Sequence, residues 1–143
     1  MKYMVDTCAF NRIADRRLLL DELPSDIELV ATYVQVTEIN KTKDEQRRLD
    51  LFLTFAHLEH AMEHTASFIF GKTPLGLAPF GIGEEFDAIK SELDGRNNSK
   101  ANNTDDALIA ESALKNGYGL LTADRDLAEV FAARSAYIIY IEA

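Results

Sequence analysis

Four carboxylates lie far apart along the chain: Asp6, Glu38, Asp106 and Asp124. Asp6 closes the short apolar run KYMV, Asp106 opens DALIAESALKN, and Asp124 follows YGLLT. Carboxylates brought to one place repel each other and resist ionising together. A divalent cation removes that conflict; Mg²⁺ and Mn²⁺ prefer oxygen ligands, and one or two carboxylates with waters suffice for Mg²⁺. An ion held this way polarises a phosphoryl oxygen and turns water into a nucleophile. Taken singly, each acid has a plainer reading. Asp6 suits a solvated strand end, Asp106 a helix N-terminus favoured by the backbone dipole, Asp124 and Asp126 turn or cap positions, and Glu38 a surface charge. Their order and combination favour a shared site.

Such a site needs elements that bring the four together, and the sequence reads as strands alternating with helices. Residues 2–5 suggest a buried strand ending at Asp6, and residues 10–20 have helical spacing. Pro24 and Ser25 mark a break. Residues 28–33 suggest a strand, followed by a helical turn or two carrying Glu38. Thr42 and Glu45 fit a capping box, with Leu49, Phe52, Leu53 and Ala56 as the core-facing stripe of the helix that follows. Residues 65–70 are expected to form a strand, and the Gly- and Pro-rich 71–83 a loop. Residues 84–93 should form a helix stopped by Gly95, and 96–103 a polar loop. The next helix, DALIAESALKN, is expected to be capped by Thr104 and ended by Gly117. A strand YGLLT, a helix LAEVFAARS and a final strand AYIIYI complete the chain. Alternation of this kind predicts a parallel sheet flanked by helices. In such a sheet the strand carboxyl ends share one edge, where ligands bind, so Asp6 and Asp124 are expected there together. No repeat or linker divides residues 1–143, which predicts a single domain.

Composition sets limits. The 143 residues are 47% hydrophobic, enough for a folded core. No apolar run has the length of a membrane span, no signal peptide is expected from the opening MKYMVDTCAF, and a cytoplasmic location fits. Cys8 is the only cysteine, so no internal disulfide can form; its simplest role is that of a small buried hydrophobe. The formal charge of −9 argues against a general nucleic-acid binder. If a nucleic-acid strand is met at all, the candidates are Arg12, Arg16, Arg17, Lys72, Arg96, Lys100 and Arg125. RRLD at 47–50 reads as a solvated helix face, and no aromatic-plus-basic platform for RNA is visible. His57, His60 and His64 share one helix face at i, i+3 and i+7, which suits a solvated or interface face better than zinc. Leu51, Phe55 and Leu58 are candidates for a dimer face.

The strings MVDTCAFNRI, TEI around Glu38, DALIAESAL and LLTADRDL together resemble the PIN-domain ribonucleases, and in size and layout the VapC toxins of toxin–antitoxin pairs. The most specific part is D-x-x-I-A-x-x-A followed by L-x-T-x-D-x-D. The resemblance runs nearly end to end and implies a PIN-like three-layer fold, a five-stranded parallel sheet with helices on both faces. It implies hydrolysis of RNA phosphodiesters assisted by Mg²⁺ or Mn²⁺, an antitoxin partner offering Arg or Lys to the acidic pocket, and a homodimer. Asp6, Glu38, Asp106 and Asp124 match the family's four acids, with Asp6, Asp106 and Asp124 as metal ligands. Thr7, Thr122 and Asp126 would support them, Thr122 by orienting an acid or a water. Asp105 has no firm counterpart and is expected to serve the helix start. Cys8 stands where many relatives have Asn, and residues 71–104 match nothing specific in the family. The alternative is a catalytically inactive PIN-like module that binds RNA or protein. A small-molecule phosphohydrolase or phospho-acceptor ranks last, because no single central acid with a late-strand Lys is evident.

Overall fold

Met4 and Val5 are neighbours in sequence and both buried, yet they belong to different cores. Alternation along a strand sends them to opposite faces of a sheet covered on both sides. The computed structural model describes residues 1–16, 18, 20–57, 62–63 and 84–141. Among these, β1 (Lys2–Val5), β2 (Glu28–Thr32), β3 (Met62–Glu63), β4 (Gly119–Thr122) and β5 (Ile138–Tyr140) form one sheet in the order β3-β2-β1-β4-β5. Every pairing is parallel.

Val5 and Leu121 pack with α1 (Thr7–Ala14) and α3 (Glu45–His57) through Phe10 and Leu51. Met4 and Leu120 pack on the other face with α4 (Glu84–Asn97), α5 (Asn103–Lys115) and α6 (Arg125–Ala132) through Ile89, Leu108 and Phe131. The helix α2 (Tyr33–Asn40) serves both cores, with Tyr33 and Val34 in one and Ile39 in the other. The result is the three-layer arrangement expected from the alternation of elements. No helix among the described residues is long and apolar enough to cross a membrane.

Several boundaries differ from expectation, each for a local reason. The first helix starts at Thr7 because Asp6 caps it, and it ends at Ala14, not at residue 20; Arg16 follows in the left-handed region with φ 58°. β2 stops at Thr32, whose side chain and Gln35 form a full capping box for α2. Asp44, not Thr42, caps α3, accepting from the Arg47 N–H at 3.0 Å. The buried stripe of α3 also differs: Leu49 and Leu53 are 51% and 58% exposed, while Leu51 is buried. Phe55 is half-buried and meets Phe10 edge to face at 6.0 Å, while Leu51 is buried in the core and offers no dimer face. Gly95 lies inside α4, which ends two residues later, where Asn98 and Ser99 take φ of 56° and 58°. Thr104 falls within α5 rather than at its cap, and Gly117, at φ 70°, follows the helix as expected. Residues 65–70 and 71–83, with Leu58, His60, His64, Arg17 and Lys72, lie outside the described residues.

Gly119 marks a close approach. A Cβ there would meet the Tyr3 ring at 2.3 Å. Because β1 and β4 pair Tyr3 with Gly119, the ring lies over the glycine and has to swing away if a methyl is added. Gly119→Ala should destabilise the protein by about 1–3 kcal/mol, read as a lower urea midpoint with an unchanged m-value.

Candidate active site

The sheet order makes the site. β1 is followed by β2 on one side, and β4 lies on its other side, so the chain's direction of winding reverses between β1 and β4. Crevices at the carboxyl ends of strands form at such reversals. Asp6 follows β1 and Asp124 closely follows β4, which brings both to this point.

Asp6 is held by three donors. Its Oδ1 accepts from the Thr7 N–H at 2.8 Å, and its Oδ2 accepts from the Thr122 hydroxyl at 2.7 Å and the Cys8 thiol at 2.9 Å. The Thr122 Oγ1 in turn accepts from the Asp124 N–H at 3.0 Å, so one fully buried hydroxyl links two acids. Asp124 caps α6 through Leu127 N at 3.1 Å. Asp106 lies in the first turn of α5, only 8% exposed. The end of β1 is fixed from another direction: Gln35 Nε2 donates to Val5 O at 2.6 Å, while its Oε1 accepts from the Thr32 N–H and hydroxyl. Removing this buried amide leaves the Val5 carbonyl without that donor, so Gln35→Met should cost about 2 kcal/mol in stability, checked by chemical denaturation.

These residues border a cleft of about 180 Å³ lined by Asp6, Thr7, Cys8, Asn11, Glu38, Lys100, Asn102, Asp106 and Asp124. All four acids singled out from the sequence reach it, and Thr7 does too. Thr122 sits beneath, touching Asp6. Asp126 lies in the first turn of α6 and is not part of the lining. Of the basic candidates among the described residues, Lys100 alone lines the cleft, its Nζ 3.7 Å from Asp124 Oδ2. Arg96 and Arg125 both pair with Glu129, away from the cleft, and Arg12 is not in the lining. Arg96 finds Glu129 on another helix, which local sequence could not show, whereas Arg125 and Glu129 are an i,i+4 pair within α6. Arg47, on the face read as solvated, is partly exposed and bonds Asp15 and, at 3.2 Å, Asn11 Oδ1.

Sequence reasoning missed Asn11, Asn102 and Gln35 as parts of this region. Only Gln35 left a signal, since Thr32 followed by Gln35 fits a capping box. It also missed two buried polar residues of α5. Glu111 accepts from the Phe86 N–H at 3.1 Å. Asn103 bonds Asp94 at 2.7 Å and Asn97 at 2.8 Å.

The electrostatics record the crowding. Burial pushes the Asp6 carboxyl above its ordinary range, against the pull of its three hydrogen bonds, and Asp124 adds to the rise. Asp106 is pushed up to about 8, first by burial, then by the charges of Asp6 and Asp124; Lys100 partly relieves it. The Cys8 thiol is pushed up to about 12 by burial and by Asp6. A thiol held protonated in this way is a poor nucleophile. Cys8 is more than a hydrophobe, because it donates to Asp6 and accepts from the Ala123 N–H at 3.3 Å.

The carboxylates of the lining suit a hard divalent cation, which prefers oxygen ligands and would relieve their mutual repulsion. Among the described residues, no three acidic, thiol or imidazole side chains are already gathered into a ligand cluster. Ion binding would therefore have to draw the carboxylates together.

A parallel sheet with helices on both faces and an acid-lined cleft at the carboxyl edge is a PIN-like architecture. The fold is shared with VapBC-5 from Mycobacterium tuberculosis, a member of the VapBC family of toxin–antitoxin systems, at 16% identity and a TM-score of 0.50, covering 99% of this chain and 98% of that one. VapBC2 from Rickettsia felis, solved bound to a DNA fragment from their promoter, aligns over 99% of this chain and 98% of that chain at 15% identity and a TM-score of 0.49. No protein-family model matches the sequence, and no curated protein matches it.

Proposed function

We propose that this chain is a metal-dependent endoribonuclease, the toxin partner of a VapBC-type pair. The observation that carries this reading is the convergence of Asp6, Glu38, Asp106 and Asp124, from four separated segments, on one cleft of about 180 Å³. Asp6, Asp106 and Asp124 would hold Mg²⁺ or Mn²⁺, with no other cofactor required. Such an ion, when bound, polarises the scissile phosphate and lowers the pKa of water. Thr122 and Cys8 fix the Asp6 carboxylate, and Thr122 also fixes the Asp124 backbone. Glu38, the acid not needed as a ligand, would accept the proton of the attacking water. Lys100 is the side chain placed to meet a phosphate against the net charge of −9.

The fold shared with a toxin–antitoxin protein supports an antitoxin partner that offers basic residues to this acidic cleft. A cytoplasmic homodimer belongs to the same proposal; light scattering on the purified chain tests the dimer.

One observation favours the alternative, a non-cleaving RNA- or protein-binding module. Asp6 already accepts three hydrogen bonds, which leaves little lone-pair capacity for an ion. A panel of labelled structured RNAs, incubated with Mg²⁺, with Mn²⁺ and with chelator, separates the two. Cleavage that the chelator stops supports the nuclease. Retention without cleavage under every condition supports the module, and neither cleavage nor retention removes both.

A further inference from the structure

Lys100 differs from the other basic residues in how it is mounted. Its N–H donates to Asn97 Oδ1 at 3.2 Å, and its carbonyl accepts from the Asn103 N–H at 3.1 Å. Asn103, fully buried, ties Asn97 and Asp94 into the same turn. The backbone of Lys100 is thus fixed on both sides, while its side chain is 49% exposed and reaches Asp124 at 3.7 Å. It shares the cleft lining with Asp106 as well. Among the described residues it is the one cation in the cleft lining.

We propose that Lys100 is a built-in counter-ion of the cleft, competing with the divalent cation for Asp106 and Asp124 and so setting the cation concentration at which the site fills. This rests on the metal-dependent reading above. An ammonium and a divalent cation drawn to the same carboxylates repel each other, and partial burial weakens the screening between them. The lysine stem is long and flexible, so the ammonium can leave Asp124 without disturbing the turn that carries it. Once the ion has neutralised the acids, the displaced ammonium is free to meet a phosphate oxygen at the cleft mouth. The fixed turn keeps it within reach.

Mn²⁺ binding by the purified full chain, without RNA, tests this through the electron paramagnetic resonance signal of the free ion. Lys100→Gln should bind Mn²⁺ about ten-fold more tightly than wild type. Lys100→Arg, which keeps the charge, should stay near wild type, and both variants should melt cooperatively. The Mn²⁺ concentration for half-maximal RNA cleavage should fall by the same factor in Lys100→Gln. Equal or weaker Mn²⁺ binding by Lys100→Gln overturns the counter-ion role while the metal-dependent reading stands. Equal tightening in Lys100→Arg also overturns it, because charge would then not be the cause. A wild-type chain that takes up no Mn²⁺ overturns both.

Discussion

Asp6→Asn should lower metal-dependent RNA cleavage by about 10³-fold, equivalent to about 4 kcal/mol of transition-state stabilisation. The fold should survive. Asn keeps an oxygen to accept from the Thr7 N–H, so α1 remains capped. The amide nitrogen then stands in place of Oδ2, so the Thr122 hydroxyl and the Cys8 thiol lose the acceptor they donate to. The hydroxyl, which already accepts from the Asp124 N–H, turns to accept from the new amide N–H as well. Removing a buried charge offsets part of any hydrogen-bond loss, since burial raises the Asp6 pKa. The measurement is cleavage rate beside a thermal melt. Full activity in a purified Asp6→Asn, Asp106→Asn double variant would contradict the assigned chemistry; loss of the cooperative melt would contradict the assigned cap.

The second large effect is on stability, and its sign is opposite to that of an ordinary core mutation. Asp106 has a folded pKa of about 8 against an ordinary 3.8. The folded chain therefore binds more protons than the unfolded one between those values. The resulting stability is fully present below about pH 4 and is lost as pH rises through about 8. Asparagine behaves like the protonated acid at every pH. Without metal, Asp106→Asn should match wild type near pH 4 and exceed it increasingly toward pH 8, by about 5 °C in thermal midpoint there. Saturating Mn²⁺ should reverse the order, because ion binding stabilises the ionised site by mass action. A variant less stable than wild type at pH 8 without metal would show that Asp106 is not held against its own repulsion.

The parts of the site visible in the sequence were those that depend on strand ends. Asp6 and Asp124 reach the cleft because each follows a strand of one parallel sheet, and the alternation of strands and helices already implied that edge. Asp106 was visible as an acid at the start of a strongly apolar helix. A cap at Asp124 was legible, since Asp favours such positions; the cap at Asp6 was not, because α1 begins one residue after it, earlier than the apolar periodicity suggested. In α3 the run LDLFLTF offers competing apolar stripes, and only packing against α1 selects Leu51 and Phe55 over Leu49 and Leu53. Gly95 reads as a helix stop, yet α4 continues past it because the Asp94, Asn97 and Asn103 side chains close the turn farther on. The basic residues were least legible, since Glu129 takes Arg96 from another helix as well as Arg125 from its own.

The central claim is that separate segments deliver carboxylates to one divalent ion. The direct measurement is a crystal structure grown with Mn²⁺, with the ion located by its anomalous signal. The account predicts Mn²⁺ in the cleft with oxygen atoms of Asp6, Asp106 and Asp124 among its ligands, and with Lys100 turned away from Asp124. An empty cleft at saturating Mn²⁺, or an ion bound elsewhere with Asp6 and Asp106 sharing none, would contradict it.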